Sequence, residues 1–282
     1  MRVALATCKQ LPEPDLDEPL VLAALAKAGI DAKVLAWDDE QAPFADQDLV
    51  VMRSTWNYYK HLDAFLAWTR KTAAATRLLN PAPIAGWNAT KTYLLELEKR
   101  GVDVVPTELV MRGSTRRLEE ILHERGWDEV VIKPLVSAGS FRTERFSIAA
   151  SSVVSGQTFL DALVVDRDAM VQRWMPSVET HGERSLVWID GAITHAIRKT
   201  PRFAGGSEQV TGEVAIADDE RAFAERALAG LPAELLYARI DMVRDGEESL
   251  RLMELELIEP SLFFQQSKTA LARFVAAVAR PR

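Results

Sequence analysis

The stretch RLMELELIEPSLFF, residues 251–264, alternates as a β-strand does. On strict alternation Met253, Leu255 and Leu257 share one face, and Leu252, Glu254 and Glu256 share the other. Two carboxylates then sit side by side on an otherwise apolar strand. Residues two apart on a strand are ~6.5–7 Å apart. Two like charges at that distance repel by roughly 2 kcal/mol at an effective dielectric of about 20. A solvated edge absorbs that cost, whereas a bound cation reverses it.

The preceding residues supply a partner strand. VRDGEES (243–249) is a turn signal, so YARIDMV (237–243) is expected to run antiparallel to RLMELEL. Asp241 then lies near Glu254, with Glu256 a diagonal neighbour. Three carboxylates converge without a histidine or cysteine, a donor set suited to a hard cation such as Mg²⁺ with substrate phosphates completing the coordination. Arg239 shares the face of Asp241 and offsets part of the charge. A polar outer face with an Arg–Glu pair fits the same residues, so the hairpin alone leaves both readings open.

Composition narrows the class. The chain has 282 residues, 48% apolar and 27% charged, as in an ordinary globular protein with ample core. A net charge of −7 argues against nucleic-acid binding. One cysteine, Cys8, rules out a disulfide framework and a Cys-rich zinc site. The opening MRVALATCKQ turns charged after a few apolar residues, and no run reaches the ~18 apolar residues of a membrane span, so neither a signal peptide nor a membrane partner is expected and the reducing cytoplasm is the expected location. His61, His123, His181 and His195 show no HExxH spacing, and no GxSxG nucleophile motif occurs. Cys8 and His195 read as buried structural residues.

Short apolar strands alternate with helices over residues 1–85: RVALATC, the helix DLDEPLVLAALAKAGI capped by Asp17 and stopped at Gly29, DAKVLAW, DLVVMRS, the helix HLDAFLAWTRKTAAAT and RLLN. That order predicts a parallel sheet with crossover helices. The absence of GxGxxG after the first strand argues against a Rossmann dinucleotide site. Residues 86–175 read as α+β: one helix WNATKTYLLELEKRG capped by Asn88, then DVVPTELV, the helix STRRLEEILHERG, EVVIKP, a small-residue loop and a strand, the helix GQTFLDALVV, and AMVQRWM. Residues 176–282 hold the hairpin RSLVWIDGAITHAIRK turning at Asp190-Gly191, a loop with Gly205-Gly206, the helix DERAFAERALAGL, the acidic hairpin and a final helix over about 267–279.

Cations occur in a suggestive order. VVIKP puts Lys133 at the end of a buried strand, directly before LVSAGSF, where loop N–H groups and an ammonium can approach phosphate. NATK supplies Lys91, and QRWMP is an apolar strand end ahead of Pro176 that suits a purine or simple core packing.

In that order the residues resemble the ATP-grasp superfamily, specifically its glutathione synthetase-like ligases, over essentially the whole chain. The resemblance implies an α/β and α+β fold: an N-terminal parallel-sheet domain and two α+β lobes that clasp ATP. VMRSTW resembles the substrate-side segment, and LLNPAPIAGWNATK resembles the asparagine-proline stretch that leads to a nucleotide-contacting lysine, here Lys91. VIKP places the second lysine at Lys133. SAGS (Ser137, Ala138, Gly139, Ser140) occupies the phosphate-covering loop with a single glycine where relatives often have several. QRWM (Gln172, Arg173, Trp174, Met175) falls on the adenine hinge. GER makes Glu183 the ribose candidate, with Glu179 its rival, and Arg184 a phosphate-side candidate. Arg198 falls on an anion-binding arginine. Asp241, Glu254 and Glu256 fall on the metal ligands, Glu256 replacing an asparagine common among relatives. RSTWNYY and ELELIEPSLFF are most similar to the branch that contains the cyclo-ligase of cycloserine biosynthesis.

The resemblance implies ATP with Mg²⁺, or Mn²⁺ in its place, and small-molecule carboxylate and amine substrates joined through an acyl phosphate; a homo-oligomer is compatible with it. Arg53 is the expected clamp for the substrate carboxylate, with a surface ion pair as the alternative; Trp56, Tyr58 and Tyr59 beside it read as core or lip. An ATP-binding sensor without catalysis and a phosphotransferase on the same fold are the rival functions.

Overall fold

The computed structural model describes residues 1–200, 209–232, 234–246 and 249–280. The Gly205-Gly206 loop lies outside the described residues. The first unit forms as its sequence predicts. β1 (Arg2–Thr7), α1 (Glu18–Lys27), β2 (Asp31–Ala36), β3 (Leu49–Ser54), α2 (Leu62–Ala75) and β4 (Arg77–Leu79) make a parallel sheet in the order β2-β1-β3-β4.

A single helix was expected next, but two short ones form, α3 (Ala82–Asn88) and α4 (Tyr93–Lys99). The chain leaves helical bonding between them: the Lys91 N–H donates to the Leu135 carbonyl at 3.0 Å. Asn88 ends α3 rather than capping a helix.

The second sheet uses β5 (Thr107–Val110), α5 (Leu118–Arg125), β6 (Glu129–Pro134), β7 (Glu144–Ser147), α6 (Ala150–Val164) and β8 (Ala169–Arg173). It is antiparallel, in the order β5-β8-β6-β7. α6 starts six residues before the expected GQTFLDALVV. Gly156 lets it meet α5, since a Cβ there would stand 2.5 Å from a Leu118 methyl.

The third part comprises α7 (Ser177–Thr180), β9 (Glu183–Ile189), β10 (Ala192–Thr200), β11 (Gln209–Val210), α8 (Asp218–Leu228), β12 (Tyr237–Asp245), β13 (Ser249–Glu256) and α9 (Lys268–Ala279). Its sheet is antiparallel in the order β11-β10-β9-β12-β13. The β9–β10 turn has positive φ at both Asp190 and Gly191, as a two-residue hairpin requires. α8 covers one face of this sheet through Phe223, Ala224 and Ala227. Toward the other face, Val187, Ile189 and Tyr237 share a core with Val3 and Leu5 of the first sheet and Phe274 of α9. Among the described residues no helix is long and apolar enough to cross a membrane.

The acid-bearing strand departs from strict alternation. Asp241 pairs with Glu254 as expected, but Met242 pairs with Leu252, so Met253 is an extra residue. This bulge moves Leu252 to the core beside Leu255 and Leu257. Met253, expected on the core face, instead lines a cleft with Glu254 and Glu256.

Side chains from the 80–93 region hold the β13 backbone and its continuation. The Asn80 amide donates to the carbonyls of Tyr237 (2.9 Å) and Leu257 (2.8 Å) and accepts the Leu236 N–H (2.7 Å). Asn88 donates to the Leu255 carbonyl (2.7 Å) and accepts the Leu257 N–H (2.8 Å). The Tyr93 hydroxyl accepts the Leu255 N–H at 2.9 Å. Asp17, the expected cap of α1, makes no capping bond. Its carboxylate accepts the N–H groups of Leu262 (2.7 Å) and Phe264 (2.8 Å) and so fixes the turn after β13.

Asn80 is fully buried, so Asn80→Ala strands three backbone groups without partners. At about 1–3 kcal/mol for each unsatisfied group, urea denaturation is expected to show a loss of several kcal/mol. A loss under about 1 kcal/mol would show that the clamp is not needed.

Candidate active site

A cleft of about 430 Å³ opens between the second and third sheets, with the end of the first unit as its lip. Its centre is Glu254. Lys133 of β6 donates to one carboxylate oxygen at 2.8 Å, and Lys91, from the break between α3 and α4, donates to the other at 3.2 Å. Burial opposes the charge on Glu254, but Lys133 and Lys91 outweigh it and hold the carboxyl well below its usual range. Burial likewise opposes the Lys91 charge, and Glu254 and Glu256 outweigh it and raise its pKa.

Beside it lies a second network. Asp241 accepts from Ser185 (2.6 Å), Lys199 (2.9 Å) and Arg239 (2.8–3.2 Å). Burial works against its charge, and Arg239 and Lys199 prevail and keep it low. Arg239 also pairs with Glu256, and Lys199 also pairs with Glu183. One ammonium cannot neutralise two carboxylates. Asp241 has the additional partners, so Glu183 is the one pushed up, to about 7, by burial first and by the Asp241 charge. Burial also raises Glu256, with Asp241 and Glu254 adding to it against Arg239.

The three predicted metal ligands thus occupy neighbouring register positions, but each turns toward a cation. Among the described residues no group of three or more His, Cys, Asp or Glu side chains is gathered closely enough to hold a metal ion. Their chemistry nonetheless fits a hard cation: the donors are all carboxylate oxygens, and Asp241 and Glu254 are held in the charged form.

One end of the cleft is apolar. Val105, Val131, Met175, Val178 and Met253 form a slot there, with Gln172, Arg173 and Trp174 on its wall. Arg145 stacks on Trp174 at 4.1 Å. Ser137, Ala138, Gly139 and Ser140 cover the middle, and Phe141 of the same loop packs on Tyr59 of the first unit at 4.7 Å. Trp56, Tyr58 and Tyr59 also line the cleft.

Four expected site residues lie elsewhere. Arg198 is exposed and packs over Gly182, because in the β9–β10 register Arg198 pairs with Arg184 on one face while Lys199 pairs with Glu183 on the other. Arg184 is turned to α8, where it binds Glu220 (2.8 and 2.9 Å) and the Ala215 carbonyl (2.7 Å). Glu179 is exposed and pairs with Arg145 at 2.6 Å, so of the two ribose candidates Glu183 is the one that lines the cleft. Arg53 is buried away from the cleft: it lies 3.5 Å from Asp17, donates to the Pro260 carbonyl at 3.2 Å and faces the rings of Tyr237 and Phe264. It ties the first unit to the turn after β13 through a buried rather than a surface pair, and it does not line the cleft where a substrate clamp was expected.

Sequence reasoning missed Lys199 and Glu259, both of which line the cleft. Strand parity was the available signal for Lys199, since the cross-strand partner of an inward Glu183 must also point inward. Cys8 and His195 are buried and outside the cleft, as read.

Two antiparallel α+β lobes around a cleft carrying paired lysines and strand-borne acids, with a parallel α/β unit at the lip, define the ATP-grasp ligases. A RimK domain ATP-grasp protein from Sphaerobacter thermophilus superposes with a TM-score of 0.70 at 18% identity, covering 98% of each chain. The crystal structure of D-cycloserine synthetase DcsG superposes with a TM-score of 0.88 at 31% identity, covering 99% of each chain. Residues 3–80 match the family model of the D-cycloserine synthetase DcsG N-terminal domain. The cycloserine biosynthesis protein DcsG of Streptomyces lavendulae is 32% identical over 285 aligned positions, covering 94% of this chain and 93% of that protein. The chain belongs to the DcsG family of ATP-grasp ligases.

Two outcomes follow from the geometry. Arg53→Met removes one member of a buried pair and is expected to cost about 3–5 kcal/mol in denaturation experiments while ATP affinity stays within about twofold; weakened ATP binding with unchanged stability would return Arg53 to the cleft. Glu183 binds its proton more tightly folded than unfolded, from an ordinary 4.5 to about 7. Its contribution to stability is therefore full below about pH 4.5 and is lost as the pH rises towards 7. Glu183→Gln should flatten that part of the stability profile of the nucleotide-free protein, and an unchanged slope would contradict the assignment.

Proposed function

We propose that this chain is an ATP- and Mg²⁺-dependent ligase that joins a carboxylate to an amine of a small amino-acid-like substrate, and that both groups belong to one molecule, so that the product is a ring of the cycloserine type. The observation that carries the ligase reading is Glu254 held between Lys91 and Lys133. Two ammonium groups and a carboxylate in one cleft match the needs of a polyphosphate and its cation. The ring-closing reading rests on the 32% identity to the cycloserine biosynthesis protein.

The apolar slot at Met175 and Met253 would take the adenine, and Glu183 the ribose hydroxyls. Lys91, Lys133 and the loop N–H groups of residues 137–140 would face the phosphates. Asp241, Glu254 and Glu256 would hold Mg²⁺. When bound, the ion offsets charge on the phosphate oxygens. The substrate carboxylate attacks the γ-phosphorus, the bond to ADP breaks, and an acyl phosphate forms. The amine nitrogen then attacks the acyl carbon, phosphate departs with the bonding pair, and the amine loses a proton. The chain positions the reactants and neutralises charge; Lys199 and Arg239 supply the cations that sequence reading assigned to Arg198 and Arg53. A sensor would bind ATP without releasing phosphate, and a phosphotransferase would leave a stable phosphorylated product.

Phosphate release from ATP, measured across amino acids that carry a carboxylate and a second nitrogen nucleophile in one molecule, tests the reading. Release that needs both groups supports it, and a stable phosphorylated product would overturn it. Lys133→Ala is expected to weaken ATP binding by about 10- to 150-fold, since a charge-assisted contact is worth about 1.5–3 kcal/mol. Unchanged affinity in calorimetry would remove Lys133 from the phosphate site.

A further inference from the structure

Most acids of the cleft already have a cation: Glu254 has Lys91 and Lys133, Asp241 has Arg239 and Lys199, Glu256 has Arg239, and Glu183 has Lys199. Glu259 differs. It lines the same cleft, and among the described residues no ion pair or hydrogen bond reaches its carboxylate. Its position is nevertheless fixed. The Glu259 carbonyl accepts the Trp56 indole N–H at 2.9 Å, and the next carbonyl, that of Pro260, accepts from Arg53. The side chain is therefore carried on a backbone that one part-buried and one buried contact hold in place.

Its surroundings are aromatic. Trp56, Tyr58 and Tyr59 line the same cleft, and ring faces attract cations. Glu259 also lies beyond the acids at 254 and 256 in chain order, and neither it nor Trp56 nor Tyr58 belongs to the apolar slot. With a nucleotide in that slot and its phosphates at Lys91 and Lys133, these residues would be left to the substrate.

We infer that Glu259, with the Trp56–Tyr58 wall, seats a substrate ammonium group that takes no part in bond formation, and so sets specificity for amino-acid-like substrates over analogues without the amine. The inference rests on the ring-closing ligase reading. A substrate with the ammonium supplies the missing cation. One without it leaves a carboxyl with no hydrogen-bond partner, held well above its usual range by burial first and by the Glu256 charge against Lys91 and Arg239, and a polar site rejects an analogue lacking the complementary group in this way.

The test uses D-cycloserine, which carries a primary amine, and isoxazolidin-3-one, the same ring without it. Binding of each is measured by calorimetry with Mg²⁺ and ADP present. The wild type is expected to prefer D-cycloserine by at least about tenfold. In Glu259→Gln that preference is lost through a ten- to hundredfold weakening for D-cycloserine alone, with isoxazolidin-3-one and ADP affinities unchanged. Glu259→Asp keeps the charge and should keep most of the preference, which distinguishes the role from a structural one. Retention of the preference in a folded Glu259→Gln would overturn the inference while leaving the ligase reading intact. Failure of the wild type to bind D-cycloserine at all would overturn the ring-closing reading and the inference with it.

Discussion

Glu254 is where three separately folded segments meet. Lys91 comes from the break between α3 and α4, Lys133 from β6 of the second sheet, and the carboxylate from β13 of the third. Leaving one member of a buried ion pair without its partner costs about 3–5 kcal/mol, so none of the three charges is tolerable alone. The arrangement suits a site that must hold several cations before a polyanion arrives. Glu254 neutralises the lysines. In the proposed reaction, phosphates would give the lysines another partner and leave the carboxylate to a cation. The second network repeats this logic with Asp241 between Arg239 and Lys199.

This electrostatic exchange needs fixed acids, and the backbone supplies them. The Met253 bulge turns Met253 to the cleft beside Glu254 and Glu256 while keeping Leu252, Leu255 and Leu257 in the core. Asn80, Asn88 and Tyr93 then satisfy backbone groups of the strand and its continuation that no neighbouring strand reaches. Asp17 and Arg53 do the same for the turn that follows. These side chains lie outside the chemistry, yet they determine where the acids point.

Much of the architecture was legible because it depends on local periodicity. The parallel sheet of the first unit, the hairpin at Asp190-Gly191 and the pairing of Asp241 with Glu254 follow from apolar runs and turn residues. What escaped depends on contacts distant in sequence. The helix break at Lys91 arises because its N–H serves the Leu135 carbonyl. Asp17 carries the composition of a helix cap but is recruited by Leu262 and Phe264, 245 and 247 residues away. A bulge leaves no mark in an alternating pattern, so Met253 was placed on the wrong face. Where the family resemblance was anchored by a motif, the residues it named do line the cleft, as at Lys91, Lys133 and Gln172 to Met175. It failed at Arg198, one residue from the inward Lys199, and at Arg53 and Arg184, whose charge suggested a ligand contact that buried carboxylates and carbonyls already fill.

The exchange at Glu254 can be measured directly as the dependence of ATP affinity on Mg²⁺ in the wild type and in Glu254→Gln. In the wild type, ATP alone must draw both lysines from Glu254 and leave that carboxylate facing the phosphates, so Mg²⁺ should strengthen binding substantially. In Glu254→Gln the lysines are already free and a cation ligand is gone. Metal-free ATP should therefore bind at least as tightly as it does to the wild type, with little further gain on adding Mg²⁺. Weaker metal-free binding in the variant, or an undiminished gain from Mg²⁺, would contradict the exchange.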